Sequence, residues 1–243
     1  MNHPVPSCSV WPSQRITNGT LEALKWFALL LMLGDHINKY LLNGTESWLY
    51  DAGRLAMPLF VFVLAFNLAR PDSLLKGAYG RTMLRLGITG VAATPAFLSL
   101  GGLVYDWWPL NILFTLLVLA LILYLIERAT PQSCVTAGLI FVVGGSLVEY
   151  WWPALIFGIA IWSYCRSQSI IALVLAVSAC ASLSYINGNH WALASLVILI
   201  LAIYIDFPFP RLRWVFYAFY PIHLYIIWIM RVKMSTLGYL FFV

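Results

Sequence analysis

The segment Gly34-Asp35-His36-Ile37-Asn38-Lys39 sets a carboxylate, an imidazole and an ammonium side by side in an otherwise apolar stretch. A neutral histidine takes a proton from an attacking amine or hydroxyl near pH 7, and a carboxylate orients it and stabilises its charged form. On a helix Asp35 and Lys39 are one turn apart and able to pair. His36 points roughly 100° away from Asp35, on the face that carries Met32 and Tyr40. A second group, Asp51-Ala52-Gly53-Arg54, follows after a short loop. An arginine in apolar surroundings calls for a carboxylate, here Asp35 or Asp51, and Gly53 permits a close backbone approach. The third is His223, in Phe216-Tyr217-Ala218-Phe219-Tyr220-Pro221-Ile222-His223-Leu224, where Pro221 is expected to bend the chain. Asp35, His36, Arg54 and His223 are therefore the candidate reactive residues. The structural alternatives are a frayed helix end with an Asp35–Lys39 pair, an Arg54 that snorkels to the interface, and a His223 satisfied by a tyrosine. His190 reads as a surface residue, and His3 falls in a polar segment expected to be disordered.

A different signal comes from the basic residues. Lys76, Arg81 and Arg85 follow Pro71 in a segment that reads as a short, moderately polar helix, with Arg81 and Arg85 on one face. Arg211 and Arg213 precede the last apolar run. Together these five suit a polyphosphate through bidentate contacts, and otherwise they are ordinary loop charge. No GxGxxG, GxxxxGK[ST] or HExxH occurs, and the four cysteines lie far apart with no CxxC spacing. Nucleotide hydrolysis, zinc proteolysis and a metal site have no support.

The elements that must hold these groups follow from composition. Of 243 residues, 62% are hydrophobic and 9% charged, with mean hydropathy +0.87. A soluble domain carries about 25% charged residues, so too little polar sequence exists here to cover a soluble surface. The net charge of +5 is spread as punctuation between apolar runs, which argues against nucleic acid as a partner. Residues 1–20 are polar, and 21–243 form one membrane domain. Apolar runs at 21–42, 48–69, 76–94, 109–127, 132–148, 150–165, 169–186, 190–206 and 212–230 predict an all-α bundle of nine spans. Eight or ten remain open, because Glu149-Tyr150-Trp151-Trp152-Pro153 reads either as an exterior turn or as a re-entrant tip. Thr20 reads as the cap of the first helix, Pro58 as a kink in the second, and Gly34, Gly87, Gly144, Gly145 and Gly158 as points of close helix contact. The dyad alternation of a barrel is absent.

Lys and Arg concentrate on the side of the N-terminus and the even loops, ten against four, which puts the N-terminus in the cytoplasm. The outer loops GTES, YDWWP, EYWWP and INGNHW then hold five of the eleven tryptophans, which suit an interfacial belt. Asp35 lies about 21 Å along its helix from residue 21, in the outer half of the bilayer. Ionisable groups at such depth usually face a bundle interior or a polar cavity. Outer Asp, His and Arg with a deep His, and basic residues on the inner face, suit transfer of an activated group across the membrane. An arginine or a backbone donor would stabilise the oxyanion. No serine or cysteine adjoins these groups, which favours direct attack over an acyl-enzyme, with an acyl-histidine still open.

Leu24-Lys25-Trp26-Phe27-Ala28 leading into Met32-Leu33-Gly34-Asp35-His36-Ile37, then Ala52-Gly53-Arg54-Leu55-Ala56-Met57-Pro58-Leu59-Phe60, and finally the Phe216–Leu224 block, resemble the TraX family. The resemblance implies a multi-pass bacterial inner-membrane acetyltransferase of conjugation with acetyl-CoA as donor. It is similar to the wider transmembrane acyltransferase group, which includes the acyltransferase-3 proteins and heparan-glucosaminide acetyltransferase. The family's namesake acetylates the N-terminal amine of a pilin subunit. Asp35, His36, Arg54 and His223 match the family blocks, and the match leaves open which histidine is the base. It assigns no role to Arg81 or Arg85. An α-amine has a reference pKa of about 8 against about 10.4 for lysine, so more of it is nucleophilic at pH 7. A proton-coupled transporter, a glycan O-acetyltransferase and an assembly subunit are the competing expectations.

Overall fold

The computed structural model describes residues 16–242 apart from 102 and 211, and nothing of the Arg213 side chain. His3, Cys8 and Arg211 thus lie outside the described residues, and among those residues the fold is helical with only two isolated β-bridges. The helices are α1 (Asn18–Leu41), α2 (Ser47–Gly53), α3 (Ala56–Leu68), α4 (Ala78–Leu100), α5 (Ile112–Arg128), α6 (Pro131–Leu147), α7 (Trp151–Ser167), α8 (Ile170–Ser182), α9 (Ser184–Asn187), α10 (Ala194–Leu201) and α11 (Arg213–Thr236). Four helical segments are long and apolar enough to cross a membrane: Ser47–Leu68, Ala78–Leu100, Ile170–Asn187 and Trp214–Thr236. Pro131–Leu147 and Trp191–Leu201 are shorter apolar helices.

The centre of the bundle is α3. Ala56–Val63 is buried at every position, and Ala65, Phe66 and Leu68 continue the pattern. A helix apolar all round must be covered all round. It is packed by α1, α5, α7 and α10, while α11 packs on α4 and α1. Gly158 of α7 lets this happen: a Cβ there would run into Leu119 of α5 and lie 3.0 Å from Val61 of α3. Gly34, Gly144 and Gly145 are also sites of close approach, whereas a Cβ on Gly87 would meet Leu117 at 3.9 Å, an ordinary contact.

Three local expectations are corrected. The cap of α1 is Thr17, not Thr20: its hydroxyl accepts from the Thr20 N–H, and the Thr20 hydroxyl donates instead to the Ile205 carbonyl at 2.8 Å. The second apolar run is broken at Arg54–Leu55, between α2 and α3, so Pro58 falls in the first turn of a new helix, where its missing N–H leaves no bond unmade. Arg81 and Arg85 open the long helix α4 rather than a short polar one, and Lys76 lies in the turns before it. The tryptophan belt is also incomplete: Trp48, Trp107 and Trp191 are exposed, but Trp108 stacks on Trp151 and donates to the Ser146 carbonyl at 2.7 Å.

Candidate active site

One end of α1 carries the reactive cluster. The α1–α2 loop folds back tightly because Asn38 clamps it, donating to the Glu46 carbonyl and accepting from the Glu46 N–H, each at 2.9 Å. That reversal lays α2 against the end of α1. Gly53 then touches α1 directly, since an added Cβ would stand 2.5 Å from the Asp35 Cβ. Arg54, the next residue, reaches the Asp35 carboxylate with Nη2–Oδ2 at 2.5 Å. Both side chains are largely buried, and the guanidinium also donates to the Tyr50 carbonyl and lies over the Tyr50 ring. Asp35 pairs with Arg54 and not with Lys39, because the α2 backbone delivers the guanidinium to the buried side of α1. Lys39 sits against the Tyr40 ring instead, and Asp51 accepts a hydrogen bond from Asn189. Gly53→Ala is expected to force this pair apart and to destabilise the fold by about 1–3 kcal/mol, the usual cost of overpacking. A lowered thermal midpoint in detergent checks it.

His36 meets His223 across the α1–α11 contact. His36 Nδ1 and His223 Nε2 are 2.8 Å apart, with the rings stacked at 5.1 Å. His223 Nδ1 lies 3.0 Å from the Phe219 carbonyl. A carbonyl only accepts, so His223 carries its proton on Nδ1. Its Nε2 then accepts from His36 Nδ1–H, and the neutral His36 is left with a lone pair on Nε2. His223 is thus not satisfied by a tyrosine: Tyr220 packs edge-on against its ring. His190 is exposed, as the sequence suggests.

These groups line a cavity of about 460 Å³ that also receives Lys39, Tyr50, Tyr150 and Glu149. His223 stands behind His36 rather than on the cavity wall. Glu149 is not among the expected site residues, because Glu149-Tyr150-Trp151-Trp152-Pro153 reads by itself only as an exterior turn or a re-entrant tip. The turn between α6 and α7 is tied inward: Leu110 bridges Val148, the Glu149 N–H donates to the Leu110 carbonyl, and Thr115 donates to the Glu149 carbonyl. Tyr150 adopts a left-handed backbone, φ 61°, to make the reversal. Burial pushes the Glu149 carboxyl up to about 7, against Lys39, Arg54 and the Ile112 N–H, which favour its charged form.

A second cavity, of about 410 Å³, opens at the other end of α1 and α3. Lys76, Arg81 and Arg85 line it, joined by Lys25 and Arg70, which the sequence reading had not grouped with them. Arg85 lies over the rings of Trp214 and Tyr217. Of the two arginines expected beside them, Arg211 and the Arg213 side chain lie outside the described residues. A small apolar void of about 20 Å³ separates the two cavities. Phe60 lines all three spaces.

The family model described as TraX protein matches residues 20–231, nearly all of the described chain. The chain belongs to the TraX family. Two relatives called Protein TraX, from Escherichia coli and from Escherichia coli strain K12, are each 33% identical to it, over 139 and 143 residues. Those matches cover 57% and 58% of this chain but 50% and 52% of the relatives, so the chain spans about half the length of the curated relatives it matches. No solved structure matches it. The matched region contains Asp35, His36, Arg54, Glu149 and His223, so the whole cluster around the larger cavity of this TraX-family chain lies within it.

Proposed function

We propose that this TraX-family chain is a membrane acetyltransferase that moves an acetyl group from cytoplasmic acetyl-CoA to an amine on the outer side of the inner membrane. The acceptor implied by the family resemblance is the N-terminus of a pilin subunit. One observation carries the reading: a basic cavity and a His/Asp/Glu cavity lie at opposite ends of the same helices, and Phe60 lines both. Lys25 and His36 stand on one helix, roughly 16 Å apart along its axis. A donor with its phosphates on Arg70, Lys76, Arg81 and Arg85 sends its thioester arm inward past Phe60, Phe216 and Tyr217. The void between the cavities has room for about one water, so a thin chain passes only as these rings turn.

In the outer cavity the acceptor nitrogen attacks the thioester carbon while its proton passes to His36 Nε2. Lys39 and Arg54 are the cations available to the oxyanion. The C–S bond then breaks, and the CoA thiolate takes the proton from His36. His223 and the Phe219 carbonyl hold the imidazole in the basic tautomer, and Asp35 fixes Arg54.

Binding of CoA and acetyl-CoA to detergent-purified protein, measured by calorimetry, tests the donor site. Saturable binding is expected, and Arg81→Glu with Arg85→Glu is expected to weaken it about tenfold or more, since each replaces a charge-assisted phosphate contact by repulsion. No binding by well-folded protein would bring the proton-coupled transporter forward. Unchanged binding in the double variant would put the phosphates elsewhere.

A further inference from the structure

Charge in the outer cavity is not balanced contact by contact. Asp35 is closed on Arg54. His36 is engaged at Nδ1 by His223. Among the described residues Glu149 takes part in no ion pair within 4 Å, and the Ile112 N–H is the donor that its carboxylate meets. Its backbone is held on both sides, by the Leu110 carbonyl and the Thr115 hydroxyl, and the residue lines the cavity wall. The groups that act on it are Lys39, Asp35 and Tyr40 of α1, Arg54 after α2, Tyr150 in its own turn and Tyr220 of α11. The tyrosines are neutral near pH 7.

An α-amine reaching this cavity at pH 7 is mostly an ammonium ion. It has to lose one proton before it is a nucleophile and a second as the amide forms. His36 has one free nitrogen and serves one of these. We propose that Glu149 reads the charge of the acceptor: its carboxylate receives the amine as an ammonium ion and takes the first proton, so that His36 meets a neutral nitrogen. This rests on the acetyltransferase reading of the same cavity. The balance is closed. R–NH3+ gives its proton to Glu149, the N–C bond forms with the second proton on His36, the C–S bond breaks, and the thiolate takes the His36 proton. Glu149 releases its own to the outer solvent. A neutral hydroxyl acceptor has no use for the first transfer, so Glu149 selects amines over alcohols.

The probes are a short peptide amide with a free α-amine and its des-amino counterpart. Binding of each to the full chain is measured with and without CoA, for the wild type, Glu149→Gln and Glu149→Asp. The wild type is expected to prefer the amine about tenfold or more, the usual weight of one charge-assisted contact. Glu149→Gln is expected to lose that preference and leave the des-amino peptide and CoA unchanged, while Glu149→Asp keeps the charge and part of the preference. Below about pH 7 Glu149 is protonated, and above about pH 8 the amine is neutral, so the wild-type preference peaks between the two. Three results overturn the assignment: a wild type that does not distinguish the peptides, including one that saturates with neither, a Glu149→Gln that retains the preference, or equal loss for both peptides. Preference for the amine in a chain that does not bind CoA would instead overturn the acetyltransferase reading and leave Glu149 an ammonium site.

Discussion

His36→Ala is expected, on the acetyltransferase reading proposed above, to lower acetyl transfer to an amine acceptor by about 10²–10⁴-fold, the range that a positioned general base supplies. The variant should still bind acetyl-CoA, because the basic cavity lies at the other end of α1. Added imidazole should restore part of the rate, since the cavity of about 460 Å³ has room for the free ring once the side chain is gone. His223 gives a sharper test of the same idea, because it acts through His36. His223→Leu removes the acceptor that keeps the proton on His36 Nδ1, and the imidazole is then free to present either tautomer. A loss of about 10–100-fold is expected, as for other groups that orient a reacting residue. His223→Gln, whose amide oxygen offers an acceptor in place of Nε2, should recover much of it. Equal, complete loss in all three variants would mean that the two histidines act as one unit. Full activity in His36→Ala would remove the base from this site altogether.

The second large effect concerns the Asp35–Arg54 pair. Arg54→Ala leaves a buried carboxylate without its partner, and breaking a pair of this kind costs about 3–5 kcal/mol. That is a large part of the stability of a typical domain, so a marked loss of folded protein in detergent is expected. The compensating variant separates structure from chemistry. Asp35→Asn combined with Arg54→Gln removes both charges at nearly constant volume and should recover most of the stability, because the penalty comes from the orphaned charge. On the proposed mechanism turnover should stay low, since the double variant lacks a guanidinium available to the oxyanion. Recovery of both stability and turnover would reduce the pair to a structural clamp. Asp35→Asn alone, Arg54→Gln alone and the double form a cycle with the wild type, and a coupling energy near zero would contradict the buried contact.

Much of this protein was legible before folding. Long apolar runs have no soluble solution, and with no water to pair their backbones such segments form helices. The described residues bear this out as helices that follow the predicted runs. Asp35, His36, Arg54 and His223 stood out because a polar group in an apolar run is tolerated only where the bundle gives it a partner. The sequence also marked Gly53 as a point of close approach, and Gly53 is where α2 meets Asp35.

What it could not assign was who partners whom. Helical spacing offered Lys39 to Asp35, and the apolar surroundings offered Asp35 or Asp51 to Arg54; the reversal clamped by Asn38 decides for Asp35 with Arg54. His36 and His223 are 187 residues apart, and no local pattern encodes a contact between the first helix and the last. Glu149 stood out only as part of an exterior turn or a re-entrant tip and not as a site residue, since a turn residue between two helices ordinarily faces water. Local sequence determines which segments must be helical and which side chains need a partner, because those are costs each residue carries on its own. The partner itself is a property of packing, and only the assembled bundle, with α1, α2, α11 and the α6–α7 turn closed around one cavity, decides it.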